Sequence, residues 1–234
     1  MNILLAIETS TQICSVALWQ NGVVLALTES DEKNVHSRLL SRMIIQLLAE
    51  NKISKEMIAA VAVSMGPGSY TGLRIGVSVA KGLCYGWSKP LIAVDTIKAQ
   101  AAQYLLNINN HKTDSGNILL CPMFDARRME VYTALYNIDL NEISPPEAMV
   151  VDSSGFKELL IHKKIIFFGN GANKCKELIT SPNAIFVDNV NPSAAGVAFL
   201  AEKLFQENKF VDVAYFEPFY MKEFIAGKAS KKMF

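Results

Sequence analysis

Very little in this sequence is arranged for metal chemistry. Its 234 residues hold four cysteines and three histidines. Cys14, Cys84, Cys121 and Cys175 are scattered with no Cys-x-x-Cys pair, the usage of small buried thiols in a reducing compartment, so a cytoplasmic location is expected. His36, His111 and His162 never fall within one helical turn of each other. Neither an HExxH protease site nor an HxxxH pair can therefore be assembled locally, and no metal is expected. Charge of one sign is also lacking. The 23 Lys and Arg oppose 22 Asp and Glu, leaving a net charge of +1, and a free-standing nucleic-acid binder needs a basic excess to neutralise phosphates. Any nucleic-acid contact is expected to be indirect or shared with a partner. Lys228, Lys231 and Lys232 near the end read as a solvated tail. Long apolar runs are missing too: residues 57–73 carry no charge, but Gly66, Pro67, Gly68 and Gly72 interrupt them, so no membrane-spanning helix is expected. Met1 to Ile7 lacks a positive flank and runs into Glu8, which reads as a buried strand and not a signal peptide.

What is present is apolar material, half of the chain, enough for one large core or two small ones. Ile3 to Ile7, Cys14 to Trp19 and Val23 to Thr28 are short β-prone runs, the last two joined by Asn21-Gly22, a strong hairpin signal. A helical period follows from about Val35 to Glu50, then a buried strand at Ile58 to Met65, a helix over about 72–87, a strand at Leu91 to Val94 and a helix to about Leu106. The first unit is thus βββαβαβα over residues 1–106. A polar link, Asn107 to Asn117, opens a second, smaller unit over 107–234. It has strands at Ile118 to Phe124, Val131 to Tyr136 and Ile165 to Phe168, a turn at Pro145-Pro146, and helices near 156–162, 172–179 and 193–206. Two sheet-first, helix-later halves suggest an α/β protein built from two ribonuclease-H-like units.

The most informative stretch is Gly66-Pro67-Gly68-Ser69-Tyr70-Thr71-Gly72-Leu73-Arg74-Ile75-Gly76, between a buried strand and a helix. Glycines there permit sharp turning and close approach, and free N–H groups at a helix start attract anions. A Rossmann fingerprint is the obvious rival, with Asp95 about 20 residues on as its acid. The GxGxxxG spacing, the proline and the preceding meander argue against it, and no GK[ST] follows to make a Walker loop. Alone, the stretch is as well explained as a tight strand-to-helix turn.

Other segments accompany it: Ile3-Leu4-Leu5-Ala6-Ile7-Glu8-Thr9-Ser10, Cys14-Ser15-Val16-Ala17-Leu18, His36-Ser37-Arg38-Leu39-Leu40, Asp125-Ala126-Arg127 with Glu130-Val131-Tyr132, and Glu217-Pro218-Phe219-Tyr220. In this order and spacing the sequence resembles the TsaB (YeaZ) family over about residues 1–222. The resemblance implies the actin-like, Hsp70-like ATPase (ASKHA) fold of two ribonuclease-H-like subdomains, the last segment returning to the first. It also implies a non-catalytic, glycoprotease-like scaffold beside the catalytic subunit TsaD and the small ATPase TsaE, in forming threonylcarbamoyladenosine in tRNAs that read codons starting with A.

The residues themselves bear on catalysis. TsaD holds its metal with an HxxxH pair, whereas here Leu40 stands four residues after His36. Active members of the fold carry an Asp-x-Gly-Thr phosphate loop, and this chain has Glu8-Thr9-Ser10-Thr11. Many TsaB relatives have Asp at Glu8, and Lys222 stands where the family often has Arg. The missing glycine argues against hydrolysis, and no catalytic residue is assigned. Glu8, Thr9, Ser10, Gly66, Gly68 and Ser69 are the candidates for any nucleotide contact, with none held by the chain alone and ATP or ADP expected only at an interface shared with the partner. Asp125, Arg127 and Glu130 read as a charged network at a strand end, with Tyr132, Pro218 and Tyr220 in the same structural motif.

The expected partner surface comprises the two helices of the first unit. Leu39, Leu40, Met43, Ile44, Leu47 and Leu48 cover about half of the first helix, more than the stripe of about 100° that one sheet buries. On the second, Gly76, Val79, Ala80, Gly82 and Leu83 are small or apolar. With His36, these helices are expected to pair with TsaD, or to form a homodimer when the partner is absent. An autonomous ATPase or phosphotransferase of the actin-like fold is the alternative.

Overall fold

The computed structural model describes residues 2–32, 36–108, 116–152 and 154–222. The lysine tail, His111, Val35 and most of the 107–117 link lie outside the described residues.

Two five-stranded mixed sheets are built in the same order. The first runs β3(Val23–Ser30), β2(Cys14–Gln20), β1(Ile3–Glu8), β4(Ile58–Gly66), β5(Leu91–Asp95). The second runs β8(Glu142–Val150), β7(Glu130–Tyr136), β6(Ile118–Asp125), β9(Lys164–Phe168), β10(Ala184–Val187). In each, the first strand pairs antiparallel with the next in a meander and parallel with the fourth, which pairs parallel with the fifth. The β2–β3 hairpin turns on Asn21 (φ 50°) and Gly22 (φ 82°), the left-handed pair a two-residue turn needs.

Helices α1(His36–Glu50) and α2(Tyr70–Trp87) pack on one face of the first sheet. On its other face lie α3(Thr96–Asn107) and α5(Ala194–Gln206), and α3 also packs on the second sheet. The α3–α5 crossing is close enough that a Cβ on Gly196 would sit 2.2 Å from the Ala99 carbonyl oxygen, and alanines line this side of α5. The short α4(Lys157–His162) covers the outer face of the second sheet. Glu202 on α5 accepts from Trp19 Nε1 (3.0 Å) and Gly22 N (3.1 Å), fastening the hairpin.

Three expectations are corrected. The Pro145-Pro146 pair does not break the chain into a turn but lies within β8, an edge strand, at a bulge where Ser144 and Glu147 pair with Leu135 and Thr133, the kind of place where a missing N–H is tolerated. The expected helix over 172–179 is a single 3₁₀ turn, Asn173–Cys175. Strand β10, four residues long, was not foreseen. All four cysteines are buried and free, and among the described residues no helix is long and apolar enough to cross a membrane.

Candidate functional site

The glycine loop, the end of β1 and the late segment 211–222 converge at the end of the first sheet where β1 and β4 terminate. Strand β4 ends at Gly66 (φ 121°), followed by a cis bond to Pro67. The Gly66 N–H donates to Thr96 Oγ1 at 2.9 Å. Ser69 caps α2, its hydroxyl accepting from Gly72 N at 3.2 Å.

Every glycine of the loop is accounted for by this chain's own atoms. A Cβ on Gly66 would meet the Phe219 carbonyl oxygen at 2.2 Å, and one on Gly68 would meet Ser10 at 2.6 Å. Gly72 and Gly76, about one turn apart on α2, leave a notch for Thr9: added Cβ atoms would lie 2.1 Å from Thr9 O and 2.2 Å from Thr9 Oγ1. Thr9 Oγ1 donates to the Gly72 carbonyl (2.9 Å), Ser69 N to the Ser10 carbonyl (2.6 Å) and Phe219 N to the Met65 carbonyl (2.7 Å). Close approach is what the glycines permit, and what approaches is Thr9, Ser10 and the Phe219 backbone.

Glu8 is fully buried, with Oε1 accepting from Ser10 N at 2.5 Å and Oε2 unpaired among the described residues. Burial raises its pKa above the ordinary value, opposed by hydrogen bonding from the Ser10 and Thr9 region. Because the folded chain holds this proton more tightly than the unfolded chain, the contribution of Glu8 to stability is fullest at low pH. It is lost as pH rises above the ordinary glutamate value and through the raised one. Glu8→Gln keeps the acceptor for Ser10 and removes the ionisation. Chemical denaturation from pH 4 to 8 is therefore expected to show a flatter stability curve for the variant, with its advantage over the native chain growing with pH. Parallel curves would show that folding leaves the pKa of Glu8 unshifted.

Asp95, the acid of the rival dinucleotide reading, caps α3 by accepting from Lys98 N at 2.7 Å, and burial pushes its pKa up to about 6. That is a helix-start role. The loop moreover follows the fourth strand of a mixed sheet, not the first of a parallel one.

Segment 211–222 runs from the start of β5 to this end of the sheet. Val211 bridges Leu91, and Lys81 Nζ donates to the Ala214 and Phe216 carbonyls at 3.0 Å each. Arg74 donates to Tyr220 OH (3.0 Å) and lies 4.1 Å above the Tyr70 ring, which packs 4.8 Å from that of Tyr220. Pro218 precedes the residue that closes over Gly66. Lys222 pairs with Glu130 on the second sheet. Asp125 pairs with Lys174, a residue the sequence reading did not select, and accepts from Arg127 N at 3.0 Å. Tyr132 packs toward the core between the sheets.

The expected partner surface needs correction. Leu40, Met43, Leu47 and Ala80 are buried in the core under α1 and α2, His36 is buried, and the Gly76 notch is filled by Thr9. None of these faces outward. Leu39, Val79 and Leu83 are half-buried against the same core. The width of the apolar arc on α1 comes from packing on β2, β3 and α2 together. What does face outward is a stripe on α2: Thr71, Arg74, Ser78, Gly82, Tyr85 and Gly86 are exposed. A Cβ on Gly82 or Gly86 would meet nothing within 4 Å. Two grooves open beside the stripe, one of about 500 Å³ lined by Ser37, Tyr70, Ile75 and Val79, the other of about 650 Å³ between Lys81, Tyr85 and residues 212–214.

Two α/β units of the same strand order, each opening on a meander, with the glycine loop at the end of the fourth strand of the first, define a two-sheet α/β protein. Comparison with known proteins narrows the class. A family model described as "TsaD: tRNA N6-adenosine threonylcarbamoyltransferase" matches residues 24–229. The tRNA threonylcarbamoyladenosine biosynthesis protein TsaB of Escherichia coli K12 is 31% identical over 96% of each chain. That of Bacillus subtilis 168 is 30% identical over 94% of this chain and 93% of its own. The solved structure of YeaZ from Pseudomonas aeruginosa, 24% identical, superposes with a TM-score of 0.78 over 94% of this chain and all of its own. The chain belongs to the TsaB (YeaZ) family.

Proposed function

We propose that the chain is a non-catalytic docking subunit of the cytoplasmic assembly that forms threonylcarbamoyladenosine in tRNA. It pairs with a TsaD-like catalytic subunit and acts together with a TsaE-like ATPase. The names of the full-length relatives support the pathway. The observation that carries the non-catalytic part is the internal filling of the glycine loop: the approach a phosphate would use is taken by Thr9, Ser10 and Phe219. The chain then binds no nucleotide or metal by itself, and ATP or ADP is met only at an interface with the partner.

The docking face is the outward stripe of α2. A glycine in a helix costs about 1 kcal/mol relative to alanine, and no internal contact requires Gly82 or Gly86. Close approach of another helix there supplies a reason for both, and the same face forms a homodimer when the partner is absent.

Reconstitution tests the reading. With catalytic subunit, TsaE-like ATPase, threonylcarbamoyl donor and tRNA, modification is expected to depend on adding this chain. The chain alone is expected to release no phosphate from ATP above background and to hold no stoichiometric transition metal. Steady turnover by the isolated chain would establish the autonomous ATPase or phosphotransferase instead.

A further inference from the structure

The β6–β7 turn carries two cations that the rest of the fold does not use. Arg127 (φ 72°) and Arg128 (φ 49°) both adopt the left-handed conformation, uncommon for residues other than glycine, asparagine and aspartate. The surroundings hold them there. Glu130 N donates to the Arg127 carbonyl (3.1 Å), Ala126 N to the Glu130 carbonyl (3.0 Å), and Val151 N to the Met129 carbonyl (3.0 Å). The Lys174 ammonium binds the Asp125 carboxylate and the carbonyls of Arg128 (2.8 Å) and Glu130 (2.6 Å). The backbone of the turn is fixed, yet both arginines are exposed, and among the described residues neither guanidinium has a partner.

The nearby acids do not neutralise them. Asp125 is paired with Lys174 and Glu130 with Lys222, so the two guanidinium charges are left uncompensated, in a chain whose whole net charge is +1. A planar guanidinium suits the paired oxygens of a phosphate, and a rigid mount loses little freedom on binding. Structural arginines would be expected to pair with the carboxylates beside them, but here lysines have taken both.

We propose that Arg127 and Arg128 are a contact for the phosphate backbone of RNA, which in the assembly described above is the tRNA. This rests on that functional reading and deepens it by giving the chain its own share of the substrate. A contact of this kind positions the RNA without reading its sequence.

The test compares the complete complex containing Arg127→Asn/Arg128→Asn with the native complex. Asparagine accepts the left-handed conformation, so thermal unfolding of the isolated variant should match the native chain. Binding of a tRNA transcript to each complex is measured between 50 and 300 mM salt. The variant is expected to bind on the order of tenfold more weakly near physiological salt, with a log–log salt slope shallower by between about 1 and 2, equally for unrelated tRNAs. Unchanged affinity and slope in a folded variant would overturn the proposal. Weaker assembly with the other subunits, at unchanged tRNA binding by the complex once formed, would also overturn it and assign the turn to an acidic protein surface. If complexes with and without this chain bind and modify tRNA alike, it is the functional reading that fails, a result distinct from either.

Discussion

With Gly82 replaced by arginine, the isolated chain is expected to keep its melting temperature. Its association with a TsaD-like catalytic partner is expected to fall by on the order of a hundredfold or more. Gly82 is exposed in the middle of α2 and a side chain grown from it meets open space, so the monomer has no steric reason to object and helix propensity favours arginine. In a docked complex the same side chain enters a helix-to-helix contact that glycine had allowed to close. Burying an unpaired guanidinium there costs several kcal/mol, and about 2.7 kcal/mol is already a hundredfold. Calorimetric titration with the partner, run beside thermal unfolding of each variant, gives both numbers. Met43→Glu should behave oppositely: that side chain lies in the core of this chain, so loss of pairing should accompany loss of fold. A Gly82→Arg chain that binds normally would move the interface off this helix.

Gly72→Ala is expected to be strongly destabilising for a single added methyl group. Its Cβ would lie 2.1 Å from the Thr9 carbonyl oxygen, and neither atom belongs to a flexible side chain that could swing away. Overpacking of this kind costs on the order of 3 kcal/mol, which at this chain length lowers the melting temperature by roughly 6 to 12 °C. Gly86→Ala, on the same helix, should do the reverse and gain about 1 kcal/mol, because nothing lies within 4 Å and only helix propensity changes. Calorimetric melting of the two variants decides it. Equal effects would mean that Thr9 does not occupy the notch.

The contrast between these glycines shows what the sequence could express. That Gly72 and Gly76 serve close approach was readable from their place after a buried strand. Whether the approaching group is phosphate, a partner or Thr9 depends on residues more than 60 positions away, and no local pattern encodes that. The meander was legible because Asn21-Gly22 has one favoured geometry. Strand β8 was not, because Pro145-Pro146 signals a turn unless the strand is known to lie at an edge, which is a property of the assembled sheet. The broad apolar arc of α1 was read as surplus to be covered by a partner. It is spent on three neighbouring elements, and helix amphipathicity gives the width of a buried face without saying how many things bury it. Asp125 and Glu130 stood out as charges near a strand end, but their lysines come from 49 and 92 residues further along.

Helix α5 closes the underside of a sheet whose first strand begins at Ile3. During synthesis, therefore, the part of that face beyond the reach of α3, with Leu4, Ala6 and Trp19 on β1 and β2, stays uncovered until residues 194–206 have left the ribosome. Hydrophobic surface exposed for that long is what chaperones bind. A fragment ending at the link between the two sheets would keep that part permanently open, and the early half of this protein cannot finish folding ahead of the late one.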